Sequence, residues 1–484
     1  MATISDYEAV IGLEVHAQML TKTKAYSSDK NEYGSRPNTN VSAVTLGHPG
    51  TLPKMNKKTI EYAIKLGLAL NCKITDYQYF ARKNYFYPDL PKGYQITQDT
   101  TPICTEGLAE VKLKDGTMKK IGITRIHMEE DAGKSMHDVD VYDTLIDLNR
   151  AGTPLLEIVT EPDLRSAEEA YAYLAEIRQL VRYLDICDGN MEEGSLRCDA
   201  NVSVRKRGAE KFGIKVEVKN MNSIRNVHRA IEHEIQRQIE AVENGETIAQ
   251  ETRSFDAVSG TTSSMRTKED ANDYRYFPEP DLPPVFVSKE QIHKVKEDMP
   301  VLPKQLFEKY TQTLNLSEYD AGIIISSKPF ALYFEKVIEH TNNYKTAANW
   351  LNGDVRSYLN QQGITIEEFP LTPKTIADVV ELIALDKVST TVASQKLFPA
   401  LLENPEKSPS KLAQELNLIQ DSDEDSILEL INQVIEQHSE EAERYKGGDK
   451  KLVGFFMGQL MKLSKGKADP KKANQLMRQT LDKL

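Results

Sequence analysis

Cysteine is scarce in this chain and scattered: Cys72, Cys104, Cys187 and Cys198 form no CxxC pair. That spacing argues against a zinc ribbon and against a disulfide framework, and it fits reduced thiols in a cytoplasmic protein. Long apolar runs are missing as well. No stretch approaches the ~18 residues that a membrane span requires. The start, Met1-Ala2-Thr3-Ile4-Ser5-Asp6, lacks the basic-then-apolar order of a signal peptide. Excess positive charge is also absent. Lys and Arg number 61 against 73 Asp and Glu, and the formal charge of −12 argues against a protein that coats nucleic acid with its whole surface. One region runs the other way: Tyr445 to Leu484 holds ten Lys or Arg against three Asp, a net +7. Such asymmetry hints at a nucleic-acid contact, and a solvated helical face explains it equally well.

What is present is an ordinary globular composition, 39% hydrophobic and 28% charged. At 484 residues the chain is too long for one core and suggests roughly three domains. The segments Ala9–Met19, Ile121–Glu130, Leu155–Val159, Leu196–Arg205 and Ile214–Lys219 are strand-like. Helical spacing is clearest after Ser166, where Glu169 completes a capping box and Ala170, Tyr173, Leu174, Ile177, Val181 and Leu184 form one stripe. A second stripe, Ile224, Val227, Ile231, Ile235, Ile239 and Val242, follows Asn222-Ser223 and ends at Asn244-Gly245. The proline-rich Phe277–Pro284 breaks the pattern, and beyond Pro303 the sequence is helical almost throughout. A second break falls at Glu403–Ser410. These features predict an α+β chain: a mixed, antiparallel-rich sheet domain over 1–293, an all-α domain over 294–405 and a small all-α tail over 406–484.

Three segments carry candidate chemistry. Alternation along Val10–Met19 places Ile11, Leu13, Val15, Ala17 and Met19 on one face and Glu14, His16 and Gln18 on the other. A carboxylate and an imidazole two residues apart on a strand are plausible metal ligands, although a half-exposed polar edge would read the same. Gly122–Asp131 ends in three consecutive acids, Glu129, Glu130 and Asp131, whose mutual repulsion calls for solvent or a cation. Glu157 stands alone inside the apolar run Leu155–Val159, and burying a lone carboxylate is costly without a partner. A hard cation such as Mg²⁺, which keeps waters for substrate phosphates, satisfies both observations. In Gly194–Arg205 the polar face is Arg197, Asp199, Asn201, Ser203 and Arg205, either a solvated outer face or the lining of a polar conduit. Ala132-Gly133-Lys134-Ser135 imitates the end of a P-loop, but the required first glycine would fall at Met128. His127, Cys104 and Cys198 have no nucleophile–base spacing and are read as structural.

Taken together, Val10–His16, Arg82–Asp89, His127–Lys134, Asp147–Ile158, Met191–Asn201 and Asp273–Asp281 resemble the B subunit of the aspartyl/glutamyl-tRNA amidotransferases, the GatB family. The resemblance implies a cradle domain, a helical domain and a tail. It implies partners: a glutaminase (amidase) A subunit, with a small C subunit, in a heterotrimer. It implies ATP- and Mg²⁺-dependent phosphorylation of the side-chain carboxylate of Glu-tRNA(Gln) or Asp-tRNA(Asn), followed by amidation with channelled ammonia. By motif position Glu14, His16, Glu130 and Glu157 are similar to the family's metal-site residues, with Glu14, Glu130 and Glu157 catalytic. Lys83, Lys92 and Asp199 are similar to residues near the ammonia channel or its gate. The basic tail is expected to contact the misacylated tRNA. Two other readings stay open: a non-catalytic tRNA-binding scaffold, and a metal-dependent phosphotransferase acting on a small molecule.

Overall fold

Strand alternation at the N-terminus is realised as β1 (Tyr7–Gln18), with Ile11, Leu13, Val15 and Ala17 buried and Glu14, His16 and Gln18 half-exposed on the other face. The computed structural model describes residues 6–137, 139–267, 274–419, 424–464 and 468–484. Residues 1–5 of the N-terminal reading, Asp273 of the last motif, and Lys465 and Lys467 of the basic tail lie outside the described residues.

The strands after β1 are β2 (Lys73–Ile74), β3 (Tyr77–Gln78), β4 (Ala81–Asn84), β5 (Tyr94–Thr97), β6 (Cys104–Lys112), β7 (Met118–Glu130), β8 (Lys134–Met136) and β9 (Leu145–Asp147). They continue with β10 (Pro154–Thr160), β11 (Leu196–Lys206), β12 (Val216–Lys219), β13 (Glu251–Asp256), β14 (Thr261–Thr267), β15 (Arg275–Pro278) and β16 (Val285–Phe286). Nine of them form one sheet in the order β14-β13-β12-β11-β1-β10-β7-β6-β2, antiparallel except between β12 and β13. A second sheet, β15-β4-β5, is smaller. Its β15 is an edge strand, the place where Pro278 removes no needed ladder bond.

Helices α1 (Lys57–Ala69), α2 (Ala167–Tyr183) and α3 (Ile224–Glu243) bury their stripes against the large sheet in one continuous core. Each fully buried Ile or Leu there contributes roughly 1.5–3 kcal/mol. Helix α2 starts where Ser166 Oγ accepts the Glu169 amide at 3.1 Å. The predicted capping box closes only by half. The Glu169 carboxylate accepts from the Arg165 amide (2.8 Å) and lies 3.4 Å from Lys119 Nζ, one residue short of the reciprocal bond. Helix α3 begins at the Ser223 cap and stops at Gly245, whose φ of 78° lets the Gly245 and Glu246 amides reach Val242 and Ala241. The last member of its stripe, Val242, is exposed.

The chain forms two compact units, Met1–Pro303 and Lys304–Leu484. Helix α4 (Lys289–Glu297) packs on α1 and carries Val295 into the first core, so the first unit continues about ten residues past the predicted boundary near 293. The described residues of the second unit contain helices and no strand. Within it the helix Pro409–Glu415 packs against Pro373–Ala384, and a separate core spans Ile427 to Leu481. The tail with its own core therefore begins at the helix Glu424–Gln437 rather than at the predicted 406.

Candidate functional site

Register brings three of the four predicted ligands, Glu14, His16 and Glu157, together. His16 on β1 sits opposite Glu157 on β10, and Glu157 sits opposite His127 on β7. On the other side of β1, Arg197 faces His16 and Asp199 faces Glu14. One polar row thus crosses four adjacent strands at the middle of the sheet, on the face away from the core. The His16 Nε2 atom lies 3.4 Å from Glu157 Oε2, 3.5 Å from Glu14 Oε1 and 3.9 Å from Glu129 Oε1. Two ligand sets share His16: His16, Glu129 and Glu157, and Glu14, His16 and Asp199, each with its donor atoms within 4.8 Å of one another.

Glu130 is elsewhere. On β7 it points away from the row, buried, with Oε1 accepting from Lys92 Nζ and from the Ile96 amide at 3.0 Å. Its neighbour Glu129 takes the place in the cluster that was expected of Glu130. Parity along the strand is the signal that distinguishes them: Met128 belongs to the core, so His127, Glu129 and Asp131 share the opposite face. His127, read as structural, borders the cluster with Nε2 2.8 Å from Glu157 Oε1. Asp131 closes the row's end, accepting from Gln18 Nε2 and Arg197 Nη1, both at 2.7 Å.

The electrostatics follow from burying several acids around one histidine. Burial raises the carboxyl of Glu14 above its ordinary range, and the Glu157 charge adds to this. Glu129 is raised for the same two reasons. Burial opposes charge on His16, but the bond and charge of Glu157, with Glu129 and Glu14, override it and lift the imidazole to about 9. Glu157 resists ionisation through burial, yet His127 and His16 drive it far below the usual carboxylate range. A cluster this acidic, with two carboxyls pushed toward neutrality, is short of positive charge. The donor set of one imidazole and several carboxylates suits a divalent cation.

The predicted lysines divide between the two sides of β7. Lys83 on β4 is half-buried with its ammonium 4.5 Å from the Tyr274 ring. Burial lowers its pKa, but the charge of Glu129, with lesser help from Tyr276 and Glu157, leaves it raised. Lys92 pairs with Glu130 and borders a cavity of about 100 Å³ that Tyr26, Val44, His48, Tyr94 and Ile96 also line. Asp199 is tied to Lys219, which also lies 3.0 Å from Glu217. It lies with Glu14 and His16 in the acidic cluster rather than with the lysine pair.

A family model described as the GatB/GatE catalytic domain matches residues 9–293, and one described as a GatB domain matches residues 332–481. The aspartyl/glutamyl-tRNA(Asn/Gln) amidotransferase B subunit of Thermodesulfovibrio yellowstonii is 50% identical over 471 residues, 97% of this chain and 98% of the relative. The proteins of the same name from Persephonella marina and Caldicellulosiruptor saccharolyticus are 49% and 47% identical, covering 98% and 99% of this chain and the whole of each relative. With two domain models in order and full-length identity near one half, the chain belongs to the GatB family of amidotransferase subunits.

Proposed function

We propose that this chain holds the kinase and transamidase site of a tRNA-dependent amidotransferase. The observation that carries the reading is the acid-rich cluster around His16, on a rigid central strand of the domain that matches the family's catalytic model. A scaffold has no use for several half-buried carboxylates facing one another, because assembling them destabilises the fold. The names of the relatives supply the substrates: Glu-tRNA(Gln), Asp-tRNA(Asn) or both.

In this reading a side-chain carboxylate oxygen of the misacylated tRNA attacks the γ-phosphorus of ATP, and ADP leaves. Ammonia then adds to the acyl carbon and phosphate departs, leaving the amide. Bound Mg²⁺ would screen the repulsion between the ATP phosphates and the attacking carboxylate. His16, Glu129 and Glu157 would hold the ion, with Glu14 and Asp199 beside it. Glu157, the most strongly ionised of the acids, supplies a permanent negative charge for it. Lys83 hangs over the same cluster and can neutralise an arriving phosphate. The ammonia route runs past the Lys92–Glu130 pair, and the cavity beside Lys92 has room for several water-sized molecules, which supports a conduit there. A glutaminase A subunit would supply the ammonia, and a small C subunit would complete a cytoplasmic heterotrimer. The basic tail holds the tRNA through its phosphates.

The test uses the assembled complex, misacylated tRNA, ATP, Mg²⁺ and glutamine. Glu157→Gln is expected to lower amide formation by more than about 100-fold (roughly 2.7 kcal/mol) while glutamine hydrolysis continues. The same loss is expected with ammonium replacing glutamine. Full transamidation by that variant would remove the site from this face of the sheet.

A further inference from the structure

His127 has no place in the ligand sets described above, yet its surroundings are unusually well determined. Its Nδ1 lies 2.7 Å from the Gln98 carbonyl oxygen, which can only accept, so Nδ1 carries a proton and the ring is fixed. Gln98 is itself locked. Its side-chain Oε1 accepts from the Ile103 amide (3.1 Å) and the Met128 amide (3.0 Å). Its Nε2 donates to Gln78 Oε1 at 2.7 Å, and Gln78 Nε2 donates to the Thr75 carbonyl at 2.9 Å. Both amides are buried, at 0% and 1% exposure. Buried side-chain amides are costly unless fully bonded, and these two pin the Gln98 backbone, whose carbonyl meets the imidazole and leaves it little freedom. The remaining nitrogen, Nε2, is buried, lacks an aligned hydrogen-bond partner, and faces Glu157 Oε1 at 2.8 Å. The other oxygen of that carboxylate, Oε2, is the one turned to His16.

We infer that His127, held by the main-chain carbonyl of Gln98, is a positioning residue that fixes Glu157 with Oε2 aimed at the cation position beside His16. It supports a ligand and is not one itself: its donor atom falls outside the sets that gather around His16. The inference rests on the cation site proposed above. Outer partners of this kind set ligand orientation in metal sites, and their removal commonly weakens metal binding by about 10–100-fold. The Gln98 side chain belongs to the same device although it lies one residue removed from the cluster.

The probe is Mn²⁺, titrated into the full chain and read by electron paramagnetic resonance, with pulsed detection of ¹⁴N coupling and a melting curve for each variant. His127→Phe and Gln98→Leu are expected to weaken Mn²⁺ binding about 10–100-fold. His127→Gln, which can still donate toward Glu157, recovers most of it. The single imidazole coupling from His16 persists in all three. Unchanged affinity in His127→Phe would overturn the inference, as would loss of a ¹⁴N coupling, which would make His127 a direct ligand. Equal affinity loss in His127→Gln and His127→Phe, matched by collapsed melting curves, would reduce it to a fold requirement. If the parent chain binds no Mn²⁺, the cation site itself fails, and that outcome is separate from normal parent binding with an indifferent His127.

Discussion

Glu129 and Glu130 are adjacent acids with opposite surroundings, one in the cluster around His16 and one against Lys92. Substituting each separately is therefore informative. Glu129→Gln should weaken Mn²⁺ binding by about tenfold or more, whereas Glu130→Gln should leave it nearly unchanged, as calorimetry can measure. The reverse order would restore Glu130 to the cluster. The pH dependence follows from His16. Its folded pKa of about 9 exceeds the ordinary 6.5, so the charged imidazole contributes its full stability below about 6.5, and that contribution is lost as pH rises through 9. A metal ion must displace the same proton, so Mn²⁺ affinity should climb with pH between about 6.5 and 9, by up to about tenfold per unit. A flat titration series across that window would contradict the shift and its cause.

Legibility at this scale depended on whether a residue's neighbours reveal its face. Glu14 and His16 were readable because their apolar neighbours alternate without interruption, and Glu157 because it interrupts an apolar run. Glu129 was readable by the same parity but is masked by the two acids that follow it. His127 carried no local signal: its role depends on Gln98, twenty-nine residues away in sequence, and on a strand pairing that no local window contains.

At the scale of elements, the long strands and the two clear helices follow from periodicity and caps, while two-residue strands such as β2 and β16 are too short to show any period. The caps give measurable consequences. Ser166→Ala should cost about 1 kcal/mol, because the Glu169 amide loses its acceptor and the half-formed box has no second bond in reserve. Gly245→Ala should cost about 1–2 kcal/mol, since a side chain at a φ of 78° is strained. Urea unfolding of the two variants checks both, and a stability gain at Gly245 would show that the turn relaxes to another conformation. The ends of the helical units were less legible. Pro303 and Glu424 mark where side chains stop joining one core and start another, which depends on long-range packing rather than on the proline clusters nearby.

For the whole molecule, the separate tail core implies that the two halves of the proposed task can be lost independently. A chain ending at residue 419 should retain Mn²⁺ binding in the first unit and lose affinity for misacylated tRNA. Its dependence on salt should become shallower, because fewer phosphates are neutralised. Filter binding at several salt concentrations measures this, and an unchanged slope would place the tRNA contacts elsewhere.

The candidate site stands on β1, fifth of nine strands, whose backbone between Glu14 and Ala17 is paired on both sides, with β10 and with β11. Its amides and carbonyls are therefore already spent on neighbours, unlike the open backbone of a phosphate-cradling loop. Recognition at the row must come from side chains alone. Every contribution to it is consequently encoded by a single codon, and the site can be dismantled or retuned one group at a time without disturbing the sheet that carries it.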